Sequence, residues 1–271
     1  MLLQDRVIIV TGAGGGIGEG IARVCVREGA KVVIADIRTE AAQQVAASLG
    51  IQAYAVGCNV ADDEAIRQLV ADSVAYFGRI DGLVNNAGVN FAKPFLETTP
   101  ADWERVMSVD LRAVFFLTQL VCRQMLAQPP LPTGQRGTIV NIASVHSVAA
   151  FPGAGPYDAA KWGVVGLGKS IAVELATQGI RVNAVSPGLV NTQIWQDYLH
   201  ATPDPAAAMV YWNSNIPLER VIEPAEIGEM VAFLLSDRAL AITGANMLVD
   251  GGVTAMLVSK EPYATAALEG T

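Results

Sequence analysis

Near its start the chain runs Arg6-Val7-Ile8-Ile9-Val10-Thr11 straight into Gly12-Ala13-Gly14-Gly15-Gly16-Ile17-Gly18, and a helical pattern follows as far as Glu28, where Gly29 stops it. An unbroken β-branched run is apolar on both faces, so it belongs inside a parallel sheet and not in a half-wet hairpin. A parallel sheet in turn demands helical crossovers, which already narrows the architecture to an α/β layer fold. Glycines between such a strand and a helix let the backbone approach a pyrophosphate, and the helix start offers unpaired N–H groups and a positive dipole end. Gly12, Gly16, Ile17 and Gly18 are therefore expected to cradle a dinucleotide.

The next apolar run, 31–36, closes on Asp36, about twenty residues beyond the glycines, the spacing at which a carboxylate reaches a ribose 2′-hydroxyl. That favours NAD, because a 2′-phosphate would be repelled and no Arg or Lys lies within the glycine turn. Arg38 is the one basic residue that could offset that repulsion, and it is read as a solvated surface group. Alternation continues with a helix near 40–49, strand near 52–56, helix near 62–77 and strands at 82–85 and 137–142, the pattern of a doubly wound α/β sheet.

With 271 residues, 52% hydrophobic and 16% charged, the chain can build one large core, and no linker-like stretch divides it, so residues 1–271 are expected to form a single domain. Residues 128–136, rich in Pro and Gln, read as a surface loop. A net charge of −8 argues against nucleic acid or an anionic membrane as partner. The apolar stretch 113–126 is interrupted by Thr118, Gln119, Arg123 and Gln124 and is too short to span a bilayer. The first residues lack a basic start and long apolar run, so no export signal and a cytoplasmic location are expected. Cys25, Cys58 and Cys122 are scattered and read as core residues. With only His146 and His200 beside them, no metal site is expected.

Tyr157 and Lys161 stand one helical turn apart in a breaker-poor stretch reaching about 177, so they share a face. A phenol is a poor base at neutral pH, but an adjacent ammonium favours the phenolate, and the pair can then exchange a proton with an alcohol or ketone.

Taken together, Thr11-Gly12 with Gly16 and Gly18, Asn85-Asn86-Ala87-Gly88, Ser144, Tyr157 with Lys161, Asn183 and Pro187-Gly188 resemble the short-chain dehydrogenases/reductases from Arg6 to Gly252. The resemblance implies a single Rossmann-type doubly wound domain with a parallel sheet of about seven strands. It implies that Ser144 hydrogen-bonds the substrate oxygen, that Tyr157 transfers the proton, and that Lys161 binds the nicotinamide ribose and tunes the phenol. Asp110 occupies the position of a usual Asn in that catalytic set, and an ionised Asp110 would partly cancel the Lys161 charge. Asn59-Val60 replaces the usual Asp-Val near the adenine. Asn86 and Gly88 are implied at the adenine ribose and strand edge, and Pro187, Gly188, Val190 and Thr192 beside the nicotinamide. Asn183 is assigned to structure.

By the same resemblance 189–216 forms a substrate lid. Within it Trp195 is expected to touch substrate, while Tyr211 and Trp212 form the lid's own small core. His146 is expected at the cleft as a polar substrate contact. The tail, about 260–271, is read as disordered or as reaching a neighbouring subunit. Apolar outer faces on helices at 103–126 and 157–177 imply a homodimer or homotetramer. The expected activity is NAD-dependent hydride transfer between nicotinamide and a secondary alcohol or ketone, with a sugar, polyol or similar small molecule as substrate. Steroids, 3-oxoacyl thioesters and cyclic diols stay open, as does a non-catalytic dinucleotide-sensing protein, against which intact Ser144, Tyr157 and Lys161 argue.

Overall fold

A computed structural model describes residues 1–257 of the chain, so the expectation for 260–271 lies outside the described residues. Seven strands form one sheet in the order β3-β2-β1-β4-β5-β6-β7. They are β1 (Val7–Thr11), β2 (Lys31–Asp36), β3 (Ala53–Gly57), β4 (Gly82–Asn85), β5 (Gly137–Ile142), β6 (Ile180–Pro187) and β7 (Asn246–Val249). Every neighbouring pair is parallel, with Ile9 opposite Val33 and Leu83, and Val140 opposite Asn183. The single α/β domain and its sheet agree with the sequence reading, and β1, β4, β5 and β6 are buried along their whole length, as unbroken apolar runs require.

Strand periodicity sorts the core into two layers. Ile8, Val10, Val32, Ile34, Val84 and Val140 face α1 (Gly16–Arg27), α2 (Thr39–Leu49) and α9 (Pro224–Leu235). Ile9, Val33, Leu83, Ile139 and Val182 face α3 (Asp63–Phe77) and α5 (Ala113–Ala127) on the other side. Each such fully buried side chain contributes about 1.5–3 kcal/mol. α1 and α9 approach closely because Gly20 and Gly228 lack side chains. A Cβ at Gly20 would come within 2.6 Å of Pro224, and one at Gly228 within 2.8 Å of Val24. Among the described residues no helix is long and apolar enough to cross a membrane.

Two stretches differ from the sequence reading. The helix expected over 103–126 is α4 (Pro100–Met107) and α5 joined by a wider π-helical turn, Ser108–Arg112. The segment 189–216, aperiodic in sequence, contains α7 (Gln193–Ala201) and α8 (Pro205–Ser214). Their first turns are capped by Thr192 and Asp204. The remaining helix, α6 (Gly155–Leu175), begins with Pro156 in its first turn.

Arg181, on β6, is buried and donates to the Ile242, Leu234 and Ser236 carbonyls and to the Thr138 hydroxyl. It closes the C-terminal end of α9 onto the sheet, and burial lowers its pKa. Removing the donors strands buried carbonyls, each loss costing about 1–3 kcal/mol. Arg181→Met is therefore expected to lower unfolding free energy by about 2–4 kcal/mol, read as a fall of several degrees in melting temperature.

Candidate active site

The C-terminal ends of β1, β4, β5 and β6 lie side by side, and each opens into a loop that carries site residues. Where strand order reverses, between β1 and β4, the glycine turn is held by its neighbour. Asn86 Nδ2 donates to the carbonyls of Thr11 (2.8 Å) and Gly12 (3.1 Å), and the Thr11 hydroxyl accepts from the Asn86 and Ala87 N–H groups. Asn86 thus joins strand to turn, and a Cβ at Gly18 would run into both the Gly12 carbonyl and that amide. Gly12 adopts φ +62°, where its Cβ would sit 2.9 Å from the Ala87 backbone, so the turn admits only glycine there.

Asp36 ends β2 beneath this turn. Its Oδ2 accepts from Gly14 N–H (2.8 Å) and its Oδ1 from Arg38 N–H (2.9 Å), with Arg38 Nε 3.5 Å away. Oδ2, with a single donor, keeps a further lone pair for a ribose hydroxyl, while Oδ1 is taken by the two Arg38 donors. α1 has Gly15 at its N-cap and so no side-chain cap, leaving its first N–H groups for a ligand. Ile17 packs against the core behind the turn, and Thr192 reaches over it from the far loop, its methyl 3.4 Å from where a Gly16 Cβ would lie. A side-chain-free cradle, an uncapped helix start and a carboxylate at the next strand end fit a dinucleotide.

At the end of β5, Ser144 is buried and its hydroxyl oxygen accepts from His146 N–H (3.2 Å), so its own proton stays available to a substrate oxygen. Lys161, 5% exposed, donates to the Ile142 carbonyl (3.3 Å) and lies 5.3 Å from the centre of the Tyr157 ring. Asp110 is wholly buried on the π turn. Its Oδ1 accepts from Val89 N–H (2.8 Å), and its Oδ2 stands 3.2 Å from Lys161 Nζ. That second contact is an ion pair without the alignment of a hydrogen bond, since Oδ2 receives no aligned donor among the described residues. Burial works against the ammonium, but the negative charges of ionised Tyr157 and of Asp110 outweigh it and hold Lys161 above its ordinary pKa. Gly88 makes room for the pair, since a Cβ there would meet Asp110 Oδ2 at 3.0 Å.

The other expected residues arrive around this centre with varied tasks. Asn59 is exposed and its Oδ1 accepts from Ala61 N–H, while Val60 is buried in the core layer below. Pro187 ends β6, and Gly188 allows Asp250 within 2.8 Å of its missing Cβ. Val190 bridges to Ile222, and the Thr192 hydroxyl caps α7. Asn183 is structural, bonded to Ile242 and Ala245 backbone. Trp195 departs from its expected place. It is 5% exposed, stacked on Tyr198 and edge-on to Trp212, so it joins the aromatic cluster between α7 and α8, while Tyr211 meets Trp212 edge-on from an exposed position. The amphipathic α7 turns its apolar face toward α8, and the Trp195 ring takes the space between Tyr198 and Trp212.

His146 is not a free polar contact. Its Nδ1 lies 2.5 Å from Asp158 Oδ1, and its ring meets the Tyr157 ring edge-on, centroids 5.2 Å apart. Asp158 was invisible as a site residue because nothing in sequence ties it to a histidine on another loop. Its place directly after Tyr157 was the only available signal. A ring of hydrogen bonds among Ser147, Ser186 and Asn246 also escaped the sequence, and it fixes the turn that presents Ser144.

With this geometry in view, comparisons with known proteins place the chain. The family profile described as Enoyl-(Acyl carrier protein) reductase matches residues 12–254. The chain is 40% identical to meso-2,3-butanediol dehydrogenase of Serratia marcescens, over 94% of this chain and 97% of that one. It is 38% identical to 2,5-dichloro-2,5-cyclohexadiene-1,4-diol dehydrogenase of Sphingobium indicum, over 94% and 99%. The crystal structure of 3-ketoacyl-(acyl-carrier-protein) reductase from Brucella melitensis complexed with NADH superposes with a TM-score of 0.85 at 32% identity, covering 93% of this chain and 99% of that one.

Asp110→Asn keeps an acceptor for Val89 N–H and removes the counter-charge of Lys161. An uncompensated ammonium favours the phenolate at lower pH, so the pH profile of kcat/KM for alcohol oxidation should move to lower pH. An unmoved profile would mean the carboxylate acts only through Val89.

Proposed function

The chain belongs to the short-chain dehydrogenase/reductase family, and from that premise we propose that it oxidises a secondary alcohol, or reduces the matching ketone, with NAD as its preferred cofactor. The observation that carries the reading is the buried, charged Lys161 beneath the ring of Tyr157, with Ser144 on the neighbouring strand end. Gly12, Gly14 to Gly18, Asp36, Lys161 and Thr192 would hold the cofactor, which when bound supplies the hydride acceptor or donor. Ser144 donates to the substrate oxygen and fixes its position. Tyr157 takes the alcohol proton as the carbonyl forms, and returns it in reduction. Lys161 keeps its charge throughout and favours the phenolate. Asp36 supports NAD over NADP, since its Oδ2 faces the turn where a 2′-phosphate would have to lie.

The substrate we propose is a small hydroxylated molecule such as a polyol, sugar or diol. Two relatives named for diols support this choice. A second reading, reduction of a 3-oxoacyl thioester, draws on the Brucella melitensis structure and on the exposed Phe95, whose ring lies 3.9 Å from where a Gly155 Cβ would be, near Tyr157. A panel of alcohols and ketones with NAD(H) and NADP(H), followed at the nicotinamide absorbance band, decides between them. Within it Tyr157→Phe should bind NAD almost normally and lose turnover by about a thousandfold, the contribution of a positioned acid–base group. Near-normal turnover by Tyr157→Phe would put the dinucleotide-sensing reading ahead.

We also propose that a second copy of the chain covers the outer faces of α5 and α6, where Phe115, Trp162 and Val173 are exposed. Light scattering at micromolar concentration should then give two or four times the chain mass of 28.4 kDa, and a monomer would refute it.

A further inference from the structure

His146 and Asp158 face each other across the mouth of the cleft, one on the turn after β5 and the other on the first turn of α6. The carboxylate is held twice more by its surroundings, for its Oδ2 accepts from Phe151 N–H (3.4 Å) and its helix is fixed by the Lys161 and Asp110 pair one turn further on. With Asp158 at Nδ1, the neutral imidazole keeps its proton on that nitrogen, and Nε2 becomes an acceptor. Among the described residues nothing bonds Nε2, and the side chain is 24% exposed. The ring stands edge-on against Tyr157 and the His146 backbone N–H is bonded to the Ser144 hydroxyl, so the imidazole belongs to the same cluster as both of those side chains.

We propose that Asp158 orients His146 so that Nε2 accepts a hydrogen bond from a second hydroxyl on the carbon next to the reacting one, making neutral vicinal diols and α-hydroxyketones the favoured substrate class. The inference rests on the alcohol and ketone oxidoreductase reading of the same site. Charge argues for a neutral substrate. The His146 and Asp158 pair carries no net positive charge in either state of the ring, and the neighbouring cations Lys93 and Lys161 are already matched by Asp102 and Asp110. A substrate carboxylate would therefore meet an anion without a free partner. A site that desolvates an acceptor also discriminates against a substrate that cannot fill it.

The test compares 2,3-butanediol, 2-butanol and 3-hydroxybutyrate as substrates of the full-length protein with NAD. The diol should exceed the other two in kcat/KM by about tenfold or more. His146→Phe keeps the ring contact with Tyr157 but offers no acceptor, and should cut the diol-to-butanol ratio about tenfold. His146→Gln, which carries an amide oxygen, should restore part of the ratio, and Asp158→Asn should lower it by releasing the ring. Melting temperature and NAD binding check that each variant is folded, and if the Phe variant does not fold, the Gln and Asn variants decide the matter. A pair that served structure alone would change stability and leave the ratio untouched, which overturns the inference, as would equal kcat/KM for diol and butanol in the unmodified protein. Turnover of no alcohol or ketone at all would instead overturn the oxidoreductase reading, and this inference with it.

Discussion

A parallel strand cannot be rejoined by a hairpin, so each of the first six strands is followed by a crossover, and every crossover leaves from the same edge of the sheet. That constraint brings Gly12, Asn86, Ser144 and Gly188 together from strand ends far apart in sequence. Between β1 and β4 the crossovers diverge to opposite faces and open a crevice. Asn86 and Thr11 close its floor with side-chain bonds where no ladder bond is available. The rigid part of the site is thus a by-product of topology, and the layers of Ile, Val and Leu behind it hold those strand ends in place.

Onto this frame the chain sets a charge that water does not screen. Asp110 and Lys161 are both buried, and each would be costly alone. Removing one partner of such a pair costs about 3–5 kcal/mol because the other is left unmatched. The π turn carrying Asp110 widens the helix by one residue and turns the carboxylate toward Val89 and the lysine. Irregular backbone at this point therefore has a use. It connects the loop after β4, through Val89, to the carboxylate that pairs with Lys161, whose ammonium lies 5.3 Å from the centre of the Tyr157 ring.

The cleft mouth is built on different terms. α7 and α8 pack on each other through Trp195, Tyr198 and Trp212, and their connection to the main body runs through Val190, Thr192 and the turn at Gly251 and Gly252. A Cβ on Gly251 would lie 2.6 Å from Ile216, so that turn sets how closely the far end of the segment approaches β7. The His146 and Asp158 pair ties the turn after β5 to the start of α6. The first is an apolar cluster with its own interior, the second a pair of polar side chains braced against Tyr157.

Sequence by itself determined the order of strands and helices, the glycine turn, the acidic end of β2 and the Tyr157 and Lys161 pair, because each is a local rule: a periodicity, a turn chemistry, or one helical turn of spacing. Ser144, Asp110 and the nicotinamide-side residues were legible only through resemblance to a family, since their meaning depends on strands that meet far along the chain. Tertiary structure alone decided three things. It set the ion pair of Asp110 with Lys161, where sequence left open whether the carboxylate or only the main chain mattered. It moved Trp195 into the interior between α7 and α8, since helices too short to show a clear period in sequence bury whichever ring faces their partner. And it joined His146 to Asp158, because hydrogen bonds between separate loops follow from how α6 docks on the sheet, and no spacing along the chain encodes that docking.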